Sequence, residues 1–193
     1  SDLLFQSTER LEITITAPFG RIDKERDKEI EYAGVLSYVD SAGATINLDV
    51  ELEVRGNYRL IKSNCRYSQL WVDLKRGQLE GTLFANQNRL KLVFQCGRQN
   101  RYADYLVREQ QVYTMFSEIS DYDFGTRLLN VTYVDSEDED DVRTHVAFFI
   151  EHQNRLADRF GMDKVESNGI SRTELNARQG VLVSLFMFLI GNT

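Results

Sequence analysis

Proline is nearly missing from this chain. Pro18 is the single one in 193 residues, beside only twelve glycines, which excludes a collagen-like or Pro/Gly-rich disordered polypeptide. Cysteine is as sparse, with Cys65 and Cys96 alone. No Cys-x-x-Cys occurs, and the two histidines, His145 and His152, have no cysteine near them in sequence. That argues against a structural zinc site. Positive charge is in deficit: 23 Lys and Arg against 30 Asp and Glu give a net charge of −7. Nucleic acid and anionic membranes are therefore disfavoured as partners, although Arg98, Arg101 and Arg108 form a local basic group. Long apolar runs are absent too. The longest, Val181 to Ile190, is interrupted by Ser184; it is too short to span a bilayer and reads as a buried core helix. The chain opens on Ser1 rather than Met, which predicts a processed or trimmed product with no signal peptide remaining.

What is present is an ordinary globular balance, 42% hydrophobic and 27% charged, in a chain long enough for one domain with a real core. Alternating apolar and polar residues predict strands over 11–16, 31–39, 45–54, 69–74 and 89–94. The third is the clearest: Leu48, Val50, Leu52 and Val54 face one way, and Asn47, Asp49, Glu51 and Glu53 the other. Asp40-Ser41-Ala42-Gly43 reads as the turn joining it to the second. Strands are also predicted over 126–134 and 143–150, with the acid run 135–141 as the tip of their hairpin. That run lacks the glycine a calcium loop needs at its sharp turn, so it reads as a solvated loop. Helices are predicted over 151–160 and 174–190, the second with Ser171 or Thr173 as cap. From Val181 onward that helix is apolar nearly all round and needs cover on every side. This predicts that further protein packs there.

Residues 88–120 organise the rest. Leu90, Leu92 and Phe94 share one strand face, and Lys91 and Val93 the other. A helix over 102–119 carries an apolar stripe of Tyr102, Tyr105, Leu106, Val112, Tyr113 and Phe116. Glu109 interrupts that stripe. Either its carboxylate is buried and paired, since an unpaired buried charge is costly, or it lies at the stripe's edge and reaches water. Lys91 is the nearest amine for a buried pair. The cysteines leave a similar choice. Cys96 ends the 89–94 strand and Cys65 precedes the 69–74 strand, so a disulfide is possible if those strands are neighbours. Two free buried thiols are the alternative.

Val54-Arg55-Gly56-Asn57, then Leu90-Lys91-Leu92-Val93 followed by a helix with Glu109, then Ala147-Phe148-Phe149-Ile150-Glu151, and finally Leu189-Ile190-Gly191-Asn192-Thr193 come in a telling order. Together they resemble the bacterial branch of the spore coat protein H (CotH) kinase-like family over most of residues 45–193. The resemblance implies an α+β fold of the atypical protein-kinase kind: a mostly antiparallel sheet of about five strands packed by the long helix. It divides the chain into a sheet lobe, 1–150, and a truncated helical lobe, 151–193. It implies ATP and a divalent metal, Mg or Mn, as cofactors and a protein as substrate. Lys91 would contact phosphates, Glu109 would orient Lys91, and Arg55 would lie near the nucleotide. The family's catalytic base and metal ligands would follow Thr193, so the fragment is expected to be inactive alone, with the missing C-terminal segment as a partner. Members commonly act outside the cytoplasm, which implies a periplasmic or secreted protein with Cys65 and Cys96 disulfide-bonded. The alternative is a non-catalytic envelope or secreted binding module on the same kind of scaffold.

Overall fold

The computed structural model describes residues 2–165 and 169–191. Its described elements run in the order β1 (Leu11–Ala17), α1 (Phe19–Glu25), β2 (Glu31–Val39), β3 (Thr45–Arg55), β4 (Gln69–Leu74), β5 (Arg89–Phe94), α2 (Asn100–Ser117), β6 (Thr126–Asp135), β7 (Asp138–Glu151), α3 (Gln153–Arg159) and α4 (Ala177–Leu189). All five of the first predicted strands form within a residue or so of their expected ends. The hairpin of β6 and β7 is longer than expected. Asp138 to Asp141 belong to β7, so its tip is short and much of the acid run is strand rather than loop.

These strands close on themselves in the order β1-β2-β3-β4-β5-β7-β6. Neighbours are antiparallel except at the seam, where β1 pairs with β6 in parallel over seven residues from Leu11–Leu129 to Ala17–Asp135. This overturns the expected α+β fold with an open antiparallel sheet and a kinase-like lobe. The β6–β7 hairpin lies against the sheet of β1 to β5 and completes the wall, with β7 on β5 and β6 on β1. The physical reason lies in the inward faces. Each strand turns a set of apolar side chains inward, although Arg127 and Asp135 are buried at the ends of the β6 row and Glu151 at the end of β7, and a closed barrel buries these apolar faces while leaving no bare edge.

The barrel interior is packed with side chains. Ile13 and Ile15, Leu48 to Val54 at alternate positions, Leu70 and Val72, Leu90 and Leu92, Leu129 and Val131, and Ala147 and Phe149 form one cluster. Each large member contributes about 1.5–3 kcal/mol by leaving water. At one end Phe19 of α1 meets Tyr133 edge-on, with ring centroids 5.2 Å apart, and Tyr133 meets Phe94 at 4.5 Å. At the other end Phe84 lies between Tyr38 and Phe149. Gly34 lets β2 pass close to β1; a Cβ there would stand 2.9 Å from the Thr16 carbonyl oxygen.

Helix α2 lies outside the barrel. Its buried residue Leu106 packs with Val93, Phe148 and Ile150 on the outer faces of β5 and β7. β7 runs one residue past the expected lobe boundary at 150, and Glu151 holds α3 to the barrel. Its carboxylate is 1% exposed, receives both the Nε and an Nη of Arg159 at 3.0 and 2.8 Å, and accepts the Gly125 N–H at 3.1 Å. Helix α4 is capped by Asn176, whose side chain accepts from the Gln179 N–H, not by Ser171 or Thr173. It was expected to be covered on every side, but Phe186 is its buried residue, set against Phe116. Val181, Val183, Leu185, Phe188 and Leu189 stay 44–71% exposed.

Candidate functional site

The outer wall of the barrel carries a cavity of about 260 Å³ beneath α2. Gln69, Lys91, Val93 and Ile150 form its floor, on β4, β5 and β7. The turn Arg55 to Arg59 forms one wall, and Glu109 and Tyr113 of α2 the other. All three candidates from the sequence, Arg55, Lys91 and Glu109, therefore line the same cavity.

The wall turn starts where β3 ends. Gly56 has φ +95°, a conformation that suits glycine, and it swings the chain off the sheet toward α2. The segment beyond it is held from three sides. Cys65 is disulfide-bonded to Cys96, across a sequence separation of 31, and the Arg66 N–H donates to the Cys96 carbonyl at 2.8 Å. Arg26 supplies the second tie: its guanidinium donates to the carbonyls of Leu60, Cys65 and Arg66. Lys28 donates to the Asn57 side chain at 2.8 Å. The Gln69 amide is committed to the backbone of β5, accepting from the Phe94 N–H and donating to the Phe94 carbonyl. It is therefore part of the framework of the floor, not a donor for a ligand.

The charges are arranged differently from the expectation. Glu109 accepts from Arg59 at 2.9 Å, not from Lys91, and both partners are a little over one-third exposed. The carboxylate lies at the edge of the apolar stripe, the second of the two readings its position allowed. Lys91 has no ion pair among the described residues. Its ammonium lies 5.6 Å from the ring centre of Trp71 and 5.2 Å from that of Phe124, attracted by the negative faces of both rings. Arg55 likewise stacks on Trp71, at 5.0 Å, and makes no ion pair among the described residues. Burial and then the neighbouring Arg55 charge lower the Lys91 pKa. Burial and then Arg59 lower that of Arg55. The Tyr113 phenol is raised, by burial first and Glu109 second. The cavity thus holds two desolvated cations that repel each other, with the one nearby carboxylate engaged by a third cation.

Two contributors were missed in the sequence. Arg59 sits in a polar loop with no periodicity to orient it. Trp71 faces outward opposite Lys91, a register between β4 and β5 that no local pattern encodes. The described residues contain no group of three or more His, Cys, Asp and Glu placed to share a metal ion, and none of their helices is long and apolar enough to cross a membrane.

Fold and site together define a small closed β-barrel of mixed strand direction with a cationic cavity on its outer wall. No family model, curated protein or solved structure matches the chain, so nothing in these comparisons links it to the CotH or any other kinase-like family.

Proposed function

We propose that this protein is a binding module that receives an anionic group between Arg55 and Lys91, and that it works in an extracytoplasmic compartment. One observation carries the reading: two partly buried cations face one cavity with no carboxylate paired to either among the described residues. Desolvated charge in that state is costly, and an incoming anion relieves the cost while gaining charge-assisted hydrogen bonds. The Cys65–Cys96 disulfide supports an oxidising compartment such as a periplasm or the cell exterior.

A second reading is that the anion is nucleotide phosphate, held as the kinase resemblance implies. It is favoured by Lys91 and Glu109 lining one cavity. Calorimetric titration at low salt with inorganic phosphate, sulfate, and ATP with and without Mg²⁺ tests both. Saturable binding that falls about tenfold or more in Arg55→Ala and Lys91→Met supports the anion site, since a lost charge-assisted hydrogen bond is worth ~1.5–3 kcal/mol. Metal-dependent preference for ATP over inorganic phosphate supports the nucleotide reading. Absence of saturable binding by every probe at millimolar concentration refutes both.

A further inference from the structure

The cavity walls carry three cations and one carboxylate: Arg55, Arg59, Lys91 and Glu109. The Arg59 guanidinium and the Glu109 carboxylate meet at 2.9 Å and cancel. Two positive charges remain, and they belong to the two side chains that have no ion pair among the described residues. Resting on the anion-binding reading above, we propose that the site selects a compact dianion, the charge state of a phosphate monoester at neutral pH, and that Glu109 sets this preference by holding Arg59.

The role given to Glu109 is the reverse of what the kinase resemblance implies. There the carboxylate orients the lysine, and its loss abolishes binding. Here the carboxylate is a resident anion that withholds one cation from the ligand. Its distance from neutrality matters because Arg55 already lies close enough to Arg59 for their charges to oppose each other. Releasing Arg59 raises the cavity's charge by one, favouring every anion and favouring higher charge most. The cavity is small beside the roughly 300–1,000 Å³ of common small-molecule sites, which suits one oxyanion head group with little else enclosed. Arg55 supplies fork-shaped donors matched to tetrahedral oxyanions, and Lys91 supplies a compact point charge.

The experiment compares phenyl phosphate with phenyl sulfate at pH 7.5 and low salt. The two are alike in shape and carry about two and one negative charges, respectively. Binding is followed by calorimetry and by the tryptophan fluorescence of Trp71. The expected result is phenyl phosphate binding about tenfold or more tightly than phenyl sulfate in the wild type. In Glu109→Gln phenyl sulfate should tighten by roughly threefold and phenyl phosphate by roughly tenfold, because one added unit charge at an effective dielectric near 20, reduced by solvent, acts on a dianion with twice the energy it has on a monoanion. Arg59→Ala is the second variant. It leaves Glu109 unpaired beside the ligand and should weaken phenyl phosphate by about tenfold. Equal affinity for the two aryl esters overturns the dianion preference while leaving the anion site standing. Unchanged or weakened binding in a folded Glu109→Gln variant overturns the role of Glu109. Absence of binding by both esters overturns this inference and the anion-binding reading together.

Discussion

Reducing the Cys65–Cys96 bond should cost this protein a large share of its stability. The bridge closes a loop with a sequence separation of 31. In the chain-entropy model a loop of that size removes about 12 cal/mol/K from the unfolded ensemble, or roughly 3.5–4 kcal/mol at 25 °C. Total stabilities of small domains are only about 5–15 kcal/mol, so the reduced protein should remain folded but be easily unfolded. The loop also spans β4 and β5, which carry Gln69, Lys91 and Val93 of the cavity floor, all of it native structure that reduction leaves chemically unchanged. Arg26 and Gln69 keep their backbone bonds to this region, so the folded state has no reason to collapse locally. The assay is urea denaturation followed by tryptophan fluorescence, with and without reductant, and with Cys65→Ala/Cys96→Ala as the permanent form. The midpoint should fall with little change in native fluorescence. A loss below about 1 kcal/mol would refute the reasoning, because it would mean that the unfolded chain is already held compact in this region. Thiols that react in the unfolded, unreduced protein would refute it more directly.

Two further outcomes follow from the charges. Lys91→Met should leave stability unchanged or raise it by up to about 1 kcal/mol, since it removes a desolvated cation with no ion pair among the described residues, and Glu109→Gln should cost under about 1 kcal/mol because the Arg59 pair is exposed; losses of 3–5 kcal/mol in both would instead mark them as one buried pair. Asp73 is pushed up to about 6, by burial first, against the pull of Arg89 and with Glu53, Glu31 and Glu51 adding to the rise. Its folded pKa lies above the unfolded one, so the folded state holds the extra proton between about pH 4 and 6, and the stability this confers is lost as pH rises through about 6. Asp73→Asn should therefore gain about 1–2 kcal/mol at pH 7.5 and little near pH 4, as read by urea melts at the two pH values; an equal change at both would show that the carboxyl is not the cause.

Local pattern carried the strands and most of the helices. Period-two alternation located Leu48 to Val54 and Leu90 to Phe94, and the apolar stripe located α2 to within two residues at each end. Closure was not legible, because it depends on one pairing between residues far apart in sequence. Nothing in Leu11 to Ala17 states that its second neighbour is Leu129 to Asp135 rather than water. The acid run misled for a related reason. Its charges suggested a loop, yet Asp138 to Asp141 belong to β7, with Asp138 opposite Asp135 and the next three residues bulging out before Val142 pairs with Val134. At the candidate site, spacing found Arg55, Lys91 and Glu109, and all three reach one cavity. The pairing was misassigned because Arg59 comes from a turn whose direction is set by Gly56, the disulfide and Arg26. The disulfide was expected from the family resemblance and from the placing of its cysteines at the ends of neighbouring strands. It is present even though the fold that the resemblance implies is not.

The parallel seam also dictates an order of events during synthesis. Strands β1 to β5 can pair as soon as they emerge, each with the strand just before it. The resulting sheet then has two bare edges, at β1 and β5, and no partner for either until residues 126–151 arrive. Closing the seam brings together segments more than half the chain apart, which makes it a slow step governed by topology. For that interval the nascent protein offers unpaired strands to any other copy nearby. Yield on refolding should accordingly depend on protein concentration more steeply than native stability alone would suggest, and the vulnerable segments in any intermolecular pairing are the β1 and β5 edges.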